Sequence, residues 1–426
     1  MTSPTADLSP EESAVTHLEA TGTETRSTYP LERRRGAGLC MSGGGYRAAL
    51  FHLGGLRRLN ELGILSQITT FSSVSGGSIV NAQIATALAR GELKWPGPGD
   101  VIEGWDQAVT ERVTRFCQTR NIRTPAVLHR LRPGNWFRGH AGVEGLADQY
   151  RSHLTDLDLR QVPRRPRFVL SATDTEFGVN WIFDSGRRRT GDYQAGYADL
   201  PDWPLARAVA ASSCFPPVFN PLPVDFEPGQ LTGGAYDHDD RNTLVEAIEL
   251  SDGGVYDNMG LEPVWKTREV VIVSDGGMPF AADGGTGLFW RLQRYISVSG
   301  AQGASVRKRW LIDGYQTGSY GGAYWGIGSA PERYRDDHHP HLPGYSKDLA
   351  VTRISRIRTD LDRFSALEST VLQTHGYYLA DAAAQVHMGD LIRHDAPHTL
   401  PPPDPAGEPG LADDLTSSLN RTLLGR

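Results

Sequence analysis

The amino-acid sequence predicts an α/β fold in which a mixed central sheet lies between helical layers. Short apolar or β-branched runs alternate along the chain with longer helical patterns. The two clearest strand-to-helix transitions, within residues 38–89, both pass through glycine-rich turns. The 426 residues are 39% hydrophobic and 22% charged, which is typical of a globular protein with a sizeable core.

The first transition contains three consecutive glycines. Residues 38–41 fit the end of a buried strand, and residues 46–62 carry apolar positions at helical spacing. Gly43, Gly44 and Gly45 lie between them and permit backbone turns that a side chain would forbid. Free N–H groups and the helix dipole favour an anion at such a helix start. The sequence therefore predicts an anion-binding loop here.

The second transition carries a serine. Residues 68–74 are short, apolar and β-branched enough for a buried strand, and residues 78–89 fit a helix. Ser75, Gly76 and Gly77 lie between the two. A strand, a turn of small residues bearing a serine and a helix form the pattern of a nucleophile elbow, so Ser75 is the candidate nucleophile.

The remaining elements are predicted from periodicity and turn residues. We expect mostly helix over 105–154, strands over 167–172, 180–184, 245–250 and 269–273, and helices over 205–213 and 351–381. Residues 1–34 are expected to form a mobile arm, 35–395 the single catalytic domain, and 396–426 a Pro-rich linker with a tail. The sequence contains no internal repeat.

Charge and cysteine content exclude several classes of protein. The net charge of -7 gives no support for a nucleic acid polymer as partner, and the arginine clusters at 33–35, 187–189 and 307–309 are treated as solvated surface. Three widely spaced cysteines favour reduced thiols in a cytoplasmic protein. No apolar run reaches the length of a membrane span, so lipid contact is expected to be peripheral, at the inner face of the membrane.

Two aspartates lie at predicted strand ends. Asp252 and Asp275 each follow a predicted strand, and each is followed by two glycines. A carboxylate at such a turn is free to meet a group from a neighbouring strand end. The residue types alone do not separate these two aspartates.

Several segments together resemble the patatin-like phospholipase family, nearest to its cytosolic phospholipase A branch. The resemblance covers residues 35–390 and depends on four segments: 42–48 resembles the oxyanion-hole loop, 73–77 the Gly-x-Ser-x-Gly elbow, 210–217 the Ala-Ser-x-x-Phe-Pro-Pro segment, and 252–258 the Asp-Gly-Gly motif. Ser73 replaces the first glycine of the elbow. The resemblance implies a three-layer α/β/α fold with a mixed sheet.

The resemblance also implies a Ser-Asp dyad and selects between the aspartates. The family's motif order places the catalytic aspartate at Asp252, whereas Asp275 lies one strand later. Ser75 would attack an ester carbonyl while Asp252 accepts its proton, without a metal or cofactor. The implied activity is calcium-independent hydrolysis of glycerophospholipid esters at a membrane surface.

The resemblance assigns roles to the glycine loop and to the arginine after it. Gly43, Gly44 and Gly45 would hold the oxyanion through their N–H groups, with Gly76 as a further donor. Arg47 has two interpretations: binding a lipid phosphate, or pinning the loop through a salt bridge.

Some alternatives stay open. A Ser-His-Asp triad is the runner-up mechanism, but His52 lies within or under the helix that follows the glycines, and the histidines at 338, 339 and 341 fit a polar loop better than a metal site. Two alternatives to the membrane phospholipase are a soluble carboxylesterase and an antiphage effector that degrades membrane. The effector would be inactive until a small-molecule signal, such as a cyclic nucleotide, or a protein partner activates it. Aromatic residues at 136, 137, 320, 324 and 325 form a candidate lipid-facing patch.

Overall fold

The computed structural model describes residues 34–124, 126, 140–216, 218–277, 288–397 and 408–419. Its strands are β1 Ala37–Met41, β2 Ile68–Ser73, β3 Arg167–Asp174, β4 Val179–Asp184, β5 Arg189–Asp192, β6 Gly196–Asp199, β7 Leu222–Pro223, β8 Glu249–Asp252, β9 Val270–Asp275 and β10 Gly321–Gly326. Its helices are α1 Gly45–Glu61, α2 Gly76–Ala89, α3 Glu111–Thr119, α4 Ala141–His153, α5 Leu205–Ser213, α6 Arg241–Glu246, α7 Gly254–Asp257, α8 Leu288–Gln316, α9 Lys347–Thr352, α10 Ala366–His387 and α11 Glu408–Leu419.

The strands form one mixed sheet in the order β10-β9-β1-β2-β3-β4-β5-β6. The neighbours from β10 to β3 are parallel, and those from β3 to β6 are antiparallel. This arrangement confirms the predicted mixed sheet. It also makes β3 the strand at which the sheet changes from one pairing mode to the other.

Alternate side chains of the central strands enter two separate hydrophobic cores. Leu39 and Met41 of β1 belong to the main core, which packs against α1, α2, α5 and α10. Cys40 between them belongs to a smaller cluster with Leu311 of α8 and Tyr320. Since successive residues of a strand point to opposite faces, helices cover both faces of the sheet. The fold is therefore the predicted three-layer α/β/α arrangement.

Two strands meet end to end along the same edge of β3. Antiparallel β4 occupies the other edge of β3, whereas β2 pairs in parallel with its first half and ends with Ser73 opposite Leu170. Antiparallel β8 pairs with its last three residues and ends with Asp252 opposite Ala172. Because β2 and β8 run toward one another, their carboxyl ends face each other across a gap of one β3 residue.

Glycines allow the two longest helices of the main core to approach closely. A Cβ on Gly54 of α1 would lie 1.8 Å from the Gln373 carbonyl oxygen, and one on Gly376 of α10 would lie 2.0 Å from that of Phe51. Only residues without a side chain permit this contact. α10 thereby backs α1, the helix that begins at the glycine loop.

Several sequence-based expectations differ from the structure. The strand predicted over 245–250 is partly helix α6, and only its end belongs to β8, because a short apolar run suits a buried helical turn as well as a strand. Helix α8 and strand β10 were not predicted. Tyr320 and Trp325 are buried, and Tyr324 is half-buried with its hydroxyl bonded to Asp275, so these three form no lipid-facing patch. The other predicted patch residues, at 136 and 137, lie outside the described residues.

The chain ends lie only partly within the described residues. Residues 1–33 of the predicted arm and 398–407 of the linker are outside them. Within the tail, α11 packs against α10 and buries Leu411 and Leu415. Its Glu408 carboxylate accepts a hydrogen bond from the Ser346 N–H at 2.7 Å. In the part of the chain that is described, no helix is long and apolar enough to cross a bilayer.

Candidate active site

Ser75 occupies a strained turn between β2 and α2. Its φ of 50° and ψ of -116° are unusual for a residue with a side chain. Behind it, a Cβ on Gly76 would lie only 2.1 Å from the Gly45 carbonyl oxygen. The glycine loop and the elbow are therefore in close contact, and the serine is 8% exposed. Strained residues of this kind cluster at functional sites.

Asp252 lies at the end of β8, beside Ser75. The Ser75 hydroxyl is close enough to the Asp252 carboxyl to lower its pKa, and the carboxylate accepts the Gly254 N–H at 2.7 Å. Burial raises the pKa of Asp252 to about 6, although the hydrogen bonds from Gly254 and Ser75 act in the opposite direction. The meeting of β2 and β8 along β3 thus brings a hydroxyl and a weakly basic carboxylate together.

Ser212 of α5 connects the two halves of this pair. Its carbonyl oxygen accepts the N–H groups of Ser75, at 3.1 Å, and Gly253, at 3.3 Å. Its hydroxyl oxygen accepts the Ser75 N–H at 3.0 Å and donates to the Ser171 carbonyl of β3 at 2.7 Å. The sequence predicted a helix over 205–213 and a family segment at 210–217, but no role for this serine. Its position indicates that it fixes the elbow relative to the aspartate turn.

The glycine loop differs in one residue from the predicted oxyanion hole. The Gly43 N–H already donates to the Asn258 carbonyl at 2.9 Å, so it is not a free donor. A Cβ on Gly43 would lie 2.5 Å from Asn258 Oδ1 and 3.1 Å from Ser75 Cβ, which explains why glycine is needed there. Within the described residues, the N–H groups of Gly44, Gly45 and Gly76 have no assigned acceptor. These three N–H groups are the available donors.

Arg47 pins the loop, as one of its two interpretations predicted, but through backbone carbonyl groups and not through a salt bridge. It is fully buried, and its guanidinium donates to the carbonyl oxygens of Gly276, Ser355 and Ile357 rather than to a carboxylate. Burial lowers its pKa to about 9, an effect partly opposed by Asp275. A guanidinium with these partners is not presented to a lipid phosphate. Arg47 instead fastens the start of α1 to two distant segments.

Asp275 is engaged elsewhere. Its carboxylate accepts the Tyr324 hydroxyl at 2.8 Å and the Gly277 N–H at 3.0 Å. Lys308 of α8 in turn donates to the Tyr324 hydroxyl at 2.5 Å. The structure therefore places Asp252, and not Asp275, next to Ser75.

The histidines have other partners. His52 contacts the Ser42 carbonyl at 2.9 Å and the Ser274 hydroxyl at 2.7 Å, and burial lowers its pKa to about 4. It therefore supports the glycine loop as a neutral side chain. His339 pairs with Asp336 in an exposed loop. In the described part of the chain, no histidine is hydrogen-bonded to Ser75, and no group of three metal-ligating side chains occurs.

Exposed apolar side chains flank the site. Phe215, which is 51% exposed, and Val218 follow α5 only a few residues after Ser212. Val255 of α7 is also exposed and comes three residues after Asp252. An acyl chain that approaches the serine would meet apolar surface at this edge of the sheet.

The sequence matches one family model, and the fold resembles several solved structures. The model of the patatin-like phospholipase family matches residues 39–265, slightly more than half of the chain. No curated protein has a matching sequence. Two structures of human GIVD cytosolic phospholipase A2, one without and one with methyl γ-linolenyl fluorophosphonate and terbium, are 12% and 14% identical, each with a TM-score of 0.43.

The chain covers less than two thirds of either of those two structures. They align with 89% of this chain but with only 66% and 63% of their own lengths. VipD from Legionella pneumophila is 12% identical, with a TM-score of 0.34, over 84% of this chain and 67% of its own. At these values the likeness carries no argument about activity.

Proposed function

Because the chain belongs to the patatin-like phospholipase family, we propose that it hydrolyses carboxylic ester bonds of membrane glycerophospholipids through a Ser-Asp dyad. The observation that carries the proposal is the junction of β2 and β8, which brings the Ser75 hydroxyl close enough to the buried Asp252 carboxyl to lower its pKa. Family membership supports a lipid hydrolase. The pair supplies the chemistry that such an enzyme needs.

The reaction proceeds in two displacement steps. The Ser75 oxygen attacks the ester carbonyl carbon while the Asp252 carboxylate takes the hydroxyl proton. The tetrahedral intermediate expels the alcohol, which leaves with that proton, and an acyl-serine remains. Water then attacks the acyl carbonyl, Asp252 accepts a proton from the water, and the fatty acid departs as Ser75 recovers its proton.

The developing oxyanion needs donors that are already in position. Gly44, Gly45 and Gly76 supply N–H groups without another assigned acceptor among the described residues. Removal of one such donor from an oxyanion hole typically costs about 3 kcal/mol in transition-state stabilisation. Arg47 and His52 contribute indirectly, because they hold the backbone of this loop.

The raised pKa of Asp252 suits a general base. A carboxylate with a pKa near 6 is mostly ionised at neutral pH but is a stronger base than an ordinary aspartate. The carboxyl is buried at the end of β8, and no cation is among the groups that shift its pKa. Burial therefore dominates and raises the pKa. The exposed Phe215 and Val255 beside the dyad favour a substrate with acyl chains.

Comparing variants on a mixture of phospholipids tests the catalytic residues without assuming which lipid is the substrate. Fatty-acid release from mixed phospholipid vesicles is followed by mass spectrometry for the wild type, Ser75→Ala, Asp252→Asn and Asp275→Asn. The last variant is the matched control, because Asp275 has the same Asp-Gly-Gly sequence but is bonded to Tyr324. We expect the wild type and the control to release fatty acid, and the two dyad variants to lose at least about a hundredfold in rate.

A covalent probe gives a second readout that does not depend on the lipid. A fluorophosphonate should add to the wild type once, at Ser75, as read by intact mass and peptide mapping. Full activity of Ser75→Ala, or equal loss in Asp252→Asn and Asp275→Asn, contradicts the proposal.

A further inference from the structure

Most of the exposed large apolar side chains belong to three segments of the chain. Among the described residues there are nine, and eight of them lie after α5, in α7 or on α8. They are Phe215, Val218, Val255, Tyr295, Val298, Val306, Trp310 and Ile312, and the ninth is Val351 of α9. Scattered exposed residues need no explanation, but five of these eight lie on the single helix α8, which marks that helix as a candidate interaction surface.

Helix α8 extends past the catalytic edge of the sheet. The Tyr315 hydroxyl donates to the Val271 carbonyl near the start of β9, whereas Lys308 reaches Asp275 at its end through Tyr324. The helix therefore runs antiparallel to β9. The twenty residues before Lys308 continue beyond the carboxyl end of β9 for about 30 Å along the helix axis.

The described side chains of this extended part of α8 are exposed or half-buried. Among the side chains described between 291 and 310, none is buried, and the first buried one is Leu311. Tyr295 of this part is 69% exposed, and Trp310, two residues after Lys308, is 55% exposed although its ring stacks on that of Trp265. A long helix with exposed aromatic side chains needs a partner to cover it, and tyrosine and tryptophan favour the boundary between apolar and aqueous phases.

The charge of α8 identifies the kind of partner. Its sequence contains five basic residues, Arg291, Arg294, Arg307, Lys308 and Arg309, and a single acidic one, Asp313, in a chain with a net charge of -7. Arg307 is directed inward, toward Asp257 and the Tyr256 ring, but Arg291 and Arg309 are exposed. A basic helix that also exposes aromatic side chains fits an anionic lipid surface.

We propose that α8 is the element through which the protein docks onto an anionic phospholipid surface, with its aromatic side chains in the lipid interface and its arginines on lipid phosphates. This inference rests on the proposed function, because α8 contacts the turn that follows Asp252 through Arg307 and Asp257. The same helix is joined to both aspartate turns, by Arg307 to Asp257 and by Lys308 through Tyr324 to Asp275.

The test measures binding rather than catalysis, so that it stands even if no lipid is hydrolysed. Full-length protein carrying Ser75→Ala is sedimented with vesicles of phosphatidylcholine, with or without phosphatidylglycerol. Two double variants are added to it: Tyr295→Ser with Trp310→Ser, and Arg291→Gln with Arg309→Gln. Loss of two arginines should weaken binding to the anionic vesicles roughly thirtyfold, and loss of the aromatic pair about tenfold or more.

Matched controls lie elsewhere on the surface. Among the described residues, Val351 is the exposed large apolar side chain that lies outside those three segments, and Val351→Ser removes it. Arg151→Gln with Arg356→Gln removes two exposed arginines from other elements. These controls should bind as the parent does. With Ser75 restored, every α8 variant should hydrolyse a monomeric short-chain ester at the wild-type rate, which shows that the site itself is intact.

Three results overturn the proposal. The first is equal binding of the α8 variants and the controls. The second is binding that does not depend on phosphatidylglycerol or on salt, since exposed charges are screened by salt. The third is a dimer that the aromatic α8 variant converts to a monomer in sedimentation velocity, because the covered face would then be an interface between two copies of the chain.

Discussion

Replacement of Asp252 by asparagine should make the protein inactive and, at neutral pH, more stable. Burial raises the pKa of this carboxyl from 3.8 to about 6 in the folded protein. At 1.36 kcal/mol per pKa unit, ionisation of Asp252 at neutral pH costs the folded state roughly 3 kcal/mol. Asparagine keeps the size of the side chain and the oxygen that accepts the Gly254 N–H, but it carries no charge.

The direction of the pH dependence of stability follows from the two pKa values of Asp252. Between the unfolded and folded pKa values the folded protein binds more protons than the unfolded chain, so this group makes the free energy of unfolding fall as pH rises. The contribution is fully present below about pH 4 and is lost as pH rises through about 6. The variant should therefore match the wild type near pH 4 and exceed it by roughly 3 kcal/mol at pH 8.

Urea denaturation at a series of pH values, with both proteins measured side by side, tests this expectation. The contributions of the other titrating groups to the free energy of unfolding cancel when one protein is subtracted from the other. The same pKa should appear in kcat/KM, which should fall tenfold per pH unit below about 6 in the wild type. If the difference in stability is constant from pH 4 to pH 8, or if the variant is the less stable protein at pH 8, Asp252 is not held in a desolvated site and our account of the base is wrong.

Three further changes test the loop and the elbow. Ser75→Gly should be about 1 kcal/mol more stable to urea than Ser75→Ala, because glycine tolerates the positive φ; equal stability would show that the turn is unstrained. Arg47→Lys should lower kcat equally on phospholipid and on a phosphate-free ester, because Arg47 holds carbonyl oxygens; a loss confined to phospholipid would restore its phosphate role. Gly76→Ala should destabilise the protein by about 2 kcal/mol and abolish hydrolysis, since its Cβ would meet the Gly45 carbonyl, whereas Gly229→Ala has open space and should behave as wild type.

The fold and the local motifs could be predicted because their signals lie in short stretches of sequence. The glycine loop before α1, the elbow at Ser75 and the small-residue helix α5 all have nearly their predicted bounds. Helix α8 was missed for a physical reason. Five of its described apolar side chains, Tyr295 and Trp310 among them, are exposed, so they do not recur with the periodicity that burial imposes.

The partners of individual side chains could not be predicted, because they come from distant segments. Arg47 is held by carbonyl groups at positions 276, 355 and 357, more than two hundred residues away. Asn258 takes the Gly43 N–H through its backbone, which has no signature in sequence. Asp252 and Asp275 looked alike until the register of β8 on β3 brought one of them to Ser75. The catalytic roles of this pair remain predictions.

The end-to-end meeting of β2 and β8 divides the dyad between two parts of the chain. Ser75 and Asp252 are 177 positions apart, yet only Ser171 of β3 separates the β3 residues that face the ends of their strands. The exposed stretch 237–240 lies between them and outside both strands. A gene split there would yield one polypeptide with the nucleophile and another with the base. Hydrolysis by the mixture would then report that β8 has added itself to β3, which makes this edge a natural site for a two-fragment complementation sensor.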